Sequence, residues 1–323
     1  MTSLSMLFLG LVAVGILAPY LLPRTSLSPM TGVLLWLGVL SLRAVLVTFS
    51  AFLVVLFLPA TEVFEILTHW CFHAVLPFLT THLGFSGHGV GDAASILPML
   101  LIATSAAWAV FAVIRTAWTM RHWIRRSSLG IGPGKSVIVG GEEVVVAAAG
   151  IRSPKVVIST GALAQLDDDE LAASLEHERG HIARRHPYLV VAGNLAFAVA
   201  RLTPGSKAAF KRLRFYLERD ADEYAVKRTN DPVALASAIC KAAVDSPTPN
   251  AALATLSGSG TPTRLKFLLD RSAANPKQWS ENVARTLLAT MLATVLLSFA
   301  AAPAIAKTGV DGLHEAPPAH SCE

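Results

Sequence analysis

Four long apolar runs constrain the fold of this chain more than any other feature. They cover about residues 6–23, 30–59, 93–114 and 283–306, and the stretch between the last two is far more polar. A helix needs about 20 apolar residues to cross the hydrocarbon core of a bilayer. Composition agrees, with 53% hydrophobic and 15% charged residues, against about 25% charged in soluble domains. The first run ends at Pro23-Arg24 and has neither a basic leader nor a small-residue cleavage site, so it reads as a span and not a signal peptide. The second exceeds one crossing. Arg43 lies inside it, and residues 43–59 are expected to cross while Arg43 reaches back to the interface.

Charge placement sets the orientation. Arg115, Arg121, Arg125 and Arg126 follow the third run, whereas residues 60–92 carry Glu62, Glu65, Asp92 and four histidines but no Lys or Arg. Cytoplasmic flanks collect Lys and Arg, so the polar insert faces the cytoplasm and both termini lie outside, at the plasma membrane. The tail beyond the last run, with Asp311, His314, Glu315, Glu323 and one basic Lys307, fits that side. His69 and His73 sit among Trp70 and Phe72 and read as an interfacial segment, and Gly84, Gly87, Gly89 and Gly91 make a flexible tail to this loop. Cys71, Cys240 and Cys322 show no metal spacing, and Cys240 reads as core. The basic set Lys207, Lys211, Arg212 and Arg214 suits an anionic leaflet. It lacks the aromatic interleaving of a nucleic-acid surface, so no direct nucleic-acid partner is expected.

Within the polar insert lies His177-Glu178-Arg179-Gly180-His181. Histidines four apart stand one turn apart on one helix face, where both imidazoles reach a single Zn2+. The glutamate between them can take a proton from a zinc-bound water. The surroundings read as a helix. Asp167 or Asp168 is the N-cap, and Asp169 and Glu170 complement the dipole. Leu171, Leu175 and Ile182 form an apolar stripe, and Pro187 is the stop signal.

A catalytic zinc takes a third protein ligand. Glu218 and Asp222 are four apart, so Glu218 can bind the metal while Asp222 holds the far nitrogen of a ligating histidine. His186 lies about 140° round an ideal helix from His181, and Glu170 about two turns off, roughly 10 Å. Glu176, Asp220 and Glu223 are expected in solvent.

Upstream, residues 136–150 read as a hairpin turning at Gly140-Gly141, followed by a strand at Val156–Ser159. Residues 143–149 are the candidate strand to which an extended peptide could add. Tyr188–Ala200 reads as a buried or half-embedded helix, Pro232–Val244 as a helix, and residues 245–263 as a loop.

Several pieces now combine. They are Pro154-Lys-Val-Val-Ile-Ser159, Gly161-Ala-Leu, Asp169-Glu-Leu171, the histidine motif with Arg184-Arg185, and Glu218-x-x-Ala-Asp222-x-x-Ala225. Together they resemble the membrane-embedded gluzincin peptidases, the BlaR/MecR antirepressor type first and the HtpX/Ste type second. The resemblance implies His177, His181 and Glu218 as zinc ligands and Glu178 as the catalytic base. It implies a protein or peptide substrate, with regulated cleavage of the chain itself or of a transcriptional repressor as an alternative role. The BlaR/MecR type often has Cys-Asp where this chain has Ala221-Asp222. No external sensor domain of the antirepressor receptors is recognisable. A segment like Thr261-Pro-Thr-Arg264 is common after the active site in these families; Arg264 is assigned no catalytic task.

The expected fold is a mainly α polytopic membrane protein with about four transmembrane helices and a small α+β gluzincin-like zinc peptidase domain between the third and last spans. Its parts are residues 1–120 with three spans, 121–282 as the peptidase domain, and 283–323 with the last span and tail.

Overall fold

The computed structural model describes residues 13, 16–21, 27–57, 87–150, 153–244, 261–270 and 277–315. In chain order the elements are α1 (Pro29–Phe57), α2 (Gly87–Ser127), β1 (Ser128–Ile131), β2 (Val137–Val139), β3 (Val146–Ala149), β4 (Lys155–Ser159), α3 (Thr160–Gln165), α4 (Asp168–Ala183), α5 (His186–Ala200), α6 (Ser206–Thr229), α7 (Pro232–Val244), α8 (Thr261–Leu269) and α9 (Gln278–Glu315).

Helix α6 is the hub, and α1, α4 and α5 all pack on it. Each meets it at a glycine. A Cβ at Gly32 of α1 would lie 2.3 Å from Tyr216, one at Gly193 of α5 2.5 Å from Leu213, and one at Gly180 of α4 3.2 Å from the Ala221 Cα. Such approaches need a residue without a side chain. Around this hub one apolar core gathers Val33, Trp36, Val39 and Leu40 of α1, Leu213 and Leu217 of α6, and Ala284, Leu287 and Met291 of α9. Glu281 of α9 accepts hydrogen bonds from the Ser28 N–H and, at 2.7 Å, from the Thr31 hydroxyl, which ties the start of α1 to α9. A second core lies between α4, α7 and the sheet, around Leu175, Leu235, Ile239 and Ile158.

The sheet order is β1-β2-β4-β3. The hairpin expected over 136–150 does not form. β2 runs parallel to β4, while β3 pairs antiparallel with β4. The reason is that Val156, Val157 and Ile158 of β4 are all buried, so this strand belongs in the sheet interior. The chain after Gly140-Gly141 is claimed by the residues that follow β4. Gly161 N–H donates to the Gly141 carbonyl at 2.7 Å, and Ser159 Oγ accepts from Val145 N–H at 3.0 Å. β1 and β2 form the actual hairpin, through a 3-10 turn at Pro133–Lys135 in which Gly134 has φ +61°. β3 is a sheet edge, beside α4.

Among the described residues, three helical segments are long and apolar enough to cross a membrane: Pro29–Leu53, Leu100–Ser127 and Gln278–Ala300. The expected first span, 6–23, lies mostly outside the described residues, as do His69, His73, Cys71, Cys322 and the loop 245–260. Other expectations are corrected. α2 begins at Gly87, so Gly87, Gly89 and Gly91 are helical and not a flexible tail. Arg43 turns into the protein. It is buried and donates to the Pro204 carbonyl, with Ser206 Oγ at 3.4 Å, and so pins the turn between α5 and α6. Cys240 is exposed, on the outer face of α7.

Candidate metal centre

Helix α4 is built as its sequence demands. Asp167 is the N-cap and forms a reciprocal capping box with Glu170. Glu170 is buried there and its Oε2 lies 2.6 Å from Lys241 Nζ of α7, so its place is at the helix start, not at the site. Leu175 is fully in the core, with Leu171 and Ile182 at its border. The C-terminal end differs from expectation. The helix stops at Ala183, Arg185 takes a left-handed conformation (φ 56°), and Pro187 sits in the first turn of α5 instead of closing α4. Proline suits that position, because the first N–H groups of a helix have no partner anyway.

His177 and Glu178 are wholly buried, and His181 opens slightly to solvent. His177 Nε2 and His181 Nε2 are 3.3 Å apart. The Glu218 carboxylate of α6 faces both rings, with Oε2 3.6 Å from His177 Nε2 and Oε1 3.7 Å from His181 Nε2. One ligand atom from each of the three residues lies within 4.8 Å of the other two. Zinc–nitrogen and zinc–oxygen bonds of about 2.0–2.2 Å in a tetrahedron set ligand–ligand edges of about 3.3–3.6 Å. The donor set and its spacing therefore fit zinc, without shift of any helix.

Asp222 stands behind the first histidine, with Oδ1 2.9 Å from His177 Nδ1. Arg264 of α8, fully buried, grips Asp222 with Nε and Nη2 at 2.8 and 2.7 Å and reaches Glu218 Oε2 with Nη1 at 3.0 Å. One planar guanidinium thus spaces the two carboxylates, a geometry that suits arginine and not lysine. Sequence reasoning gave Arg264 no catalytic task; its position two helices downstream concealed its neighbours. His186 is not among the grouped metal-ligand candidates, as expected, but it lies closer to His181 than helical phase implies, because α4 ends between them. Asp220 is buried and not in solvent. Its Oδ2 lies 3.0 Å from His186 Nε2, and His186 Nδ1 lies 2.8 Å from His181 Nδ1. Glu176, also expected in solvent, is half-buried and pairs with Arg179; exposed Glu223 pairs with Lys227.

The charges follow from these contacts. Burial opposes ionisation of Glu218, but Arg264 and His177 outweigh it and hold the carboxyl at about 2. Burial likewise raises Asp222, yet Arg264 and His177 keep it well below the usual carboxylate range. His177 is lowered by burial and raised further by Asp222 and Glu218, ending at about 9. His181 is pushed down to about 3, chiefly by burial. Glu178 Oε2 accepts from the Ala148 N–H of β3 at 2.6 Å, which places the motif glutamate beside the sheet edge.

Residues 120–214 match the family model of peptidase family M48. This is a family of zinc metallopeptidases, so the match indicates a peptidase hydrolase. It supports the broad resemblance to membrane-type zinc metallopeptidases. It spans the whole sheet, the histidine motif and the beginning of α6, and stops short of Glu218, Asp222 and Arg264. Neither the search of curated proteins nor that of solved structures returned a match.

Proposed function

We propose that this chain is a membrane-bound zinc endopeptidase that cuts a protein substrate at the cytoplasmic face, with His177, His181 and Glu218 as metal ligands and Glu178 as general base. The observation that carries the proposal is the convergence of two histidine Nε2 atoms, 3.3 Å apart, on the Glu218 carboxylate, whose two oxygens lie 3.6 and 3.7 Å from them, next to a buried glutamate on the histidines' own helix. Zinc, when bound, polarises the scissile carbonyl and makes water more acidic. Glu178 would take the proton of the attacking water on one carboxylate oxygen as the C–O bond forms and the carbonyl π bond opens, and then pass it to the leaving nitrogen as the carbonyl re-forms and the C–N bond breaks. Ala148 N–H holds the other oxygen, which limits rotation of the carboxylate. β3 (Val146–Ala149) lies at the edge of the sheet, within the candidate stretch 143–149, and is the strand to which an extended substrate would add. Asp222 orients His177, and Arg264 keeps Asp222 and Glu218 ionised.

Two observations support the membrane reading: the apolar segments long enough to cross, and Arg115, Arg121, Arg125 and Arg126 gathered toward the C-terminal end of one of them. A second reading is regulated cleavage, of the chain itself or of a repressor. It draws on the tie between α9, α1 and α6, which gives the spans a mechanical route to the ligand Glu218.

The test is zinc content and casein or self-cleavage of the detergent-purified chain, with Glu178→Ala and Glu218→Ala alongside. One zinc per wild-type chain is expected. Glu178→Ala should retain it and lose about 10²–10⁴-fold in rate, and Glu218→Ala should lose both. Wild type that takes up no zinc on reconstitution would overturn the proposal.

A further inference from the structure

The two histidines of the motif are supported differently. His177 turns its Nδ1 directly to a carboxylate, Asp222. Among the described residues, His181 Nδ1 meets not a carboxylate but a third imidazole, His186, at 2.8 Å, and His186 in turn meets Asp220 at 3.0 Å. Both supporting residues are buried, His186 1% and Asp220 4% exposed. His186 arrives there because Arg185 adopts φ 56° and turns the chain back under His181 at the first residue of α5. Asp220 comes from α6, two residues from Glu218 and two from Asp222, so one helix supplies the third ligand and the carboxylate ends of both supports.

Proton bookkeeping makes this chain of contacts directional. A neutral imidazole carries one N–H and one lone pair. Asp220 accepts only, so His186 must hold its proton on Nε2. Its Nδ1 is then a lone pair, and the hydrogen bond across 2.8 Å requires the His181 proton on Nδ1. That leaves the Nε2 lone pair of His181 directed at Glu218 and His177, where a metal ion would sit. The opposite arrangement would put two lone pairs face to face at Nδ1.

We infer that His186 and Asp220 form a positioning relay that fixes the tautomer and ring plane of His181 for metal binding. The inference rests on the zinc reading of the site. Neither residue touches substrate, and the relay would act wholly through His181. Partners of this kind change metal affinity by about 10–100-fold when removed. Glutamine can reproduce the relay, since its amide accepts with oxygen and donates with nitrogen; leucine can do neither.

The experiment measures zinc dissociation constants by chelator competition, and the visible spectrum of the cobalt-substituted protein, for wild type, His186→Gln, His186→Leu, Asp220→Ala and the double variant His186→Leu/Asp220→Ala. Expected is a 10–100-fold weaker zinc affinity for His186→Leu with an altered cobalt spectrum, a near-native affinity and spectrum for His186→Gln, and a loss for Asp220→Ala that adds nothing in the His186→Leu background. A merely structural role would move the melting curve without distinguishing Gln from Leu in the spectrum. If His186→Leu does not fold, Asp220→Ala against His186→Gln carries the same contrast. Wild type without zinc would sink the peptidase reading together with the relay. Zinc-loaded wild type with folded His186→Leu or Asp220→Ala at unchanged affinity would sink the relay alone, as would full additivity in the double variant.

Discussion

At the scale of single residues, the site is a set of charges that need one another. Below a pKa of about 9, metal-free His177 carries a proton held by Asp222 and Glu218, and a metal ion must displace it. Zinc affinity should therefore climb up to tenfold per pH unit from pH 7 to about 9 and flatten above, as this proton ceases to compete. Calorimetry at pH 7.5 in two buffers of different ionisation enthalpy should report about one proton released per zinc. His181, held near 3, and the ionised Glu218 should contribute none. Arg264 is the counterweight. Replacing it by methionine leaves two buried carboxylates without their cation, a change that costs about 3–5 kcal/mol where a buried pair is broken. Thermal melting of Arg264→Met should show that loss in the metal-free protein, and zinc should restore part of it. Arg264→Lys should restore little, for want of the planar fork.

At the scale of elements, the histidine helix was legible and its neighbourhood was not. The cap at Asp167, the apolar stripe and the one-turn spacing of His177 and His181 are local, and local periodicity reports them faithfully. The Glu218–Asp222 pairing was also readable, because both lie one turn apart on α6. What escaped depended on where helices end and which neighbours they meet. The left-handed Arg185 undoes any extrapolation of helical phase to His186. The sheet order escaped for a similar reason: Gly140-Gly141 carries a turn signal, but the burial of Val156–Ile158 decides which strand lies between the others. Helix spacing rests on small residues. Gly180→Ala would drive a methyl group to 3.2 Å from Ala221 Cα and 3.1 Å from Tyr224 Cβ, pushing α6 and Glu218 outward by a few tenths of an ångström. Expected is a folded protein with weaker zinc retention during dialysis; unchanged retention would show that α6 is free to slide without moving Glu218.

For the whole molecule, the apolar surface is unevenly distributed. Leu101, Trp108, Phe111, Ile114 and Trp118 of α2 are at least half exposed, an apolar face that a bilayer would cover. Trp36 of α1, by contrast, is 1% exposed within the core. In liposomes of brominated lipid, a single-tryptophan variant keeping Trp108 should be strongly quenched, while one keeping Trp36 should be nearly unaffected. Equal quenching would contradict this arrangement. Helix α1 has a double character: it is apolar enough to span, yet at Gly32 its backbone rests against Tyr216, two residues before Glu218. The candidate span thus also touches the helix that carries Glu218. If α1 tilts to match its surroundings, the thickness of the membrane becomes a control variable for hydrolysis. Turnover in vesicles should pass through an optimum as the acyl chains are lengthened, and the optimum should shift when α1 is extended by one leucine turn.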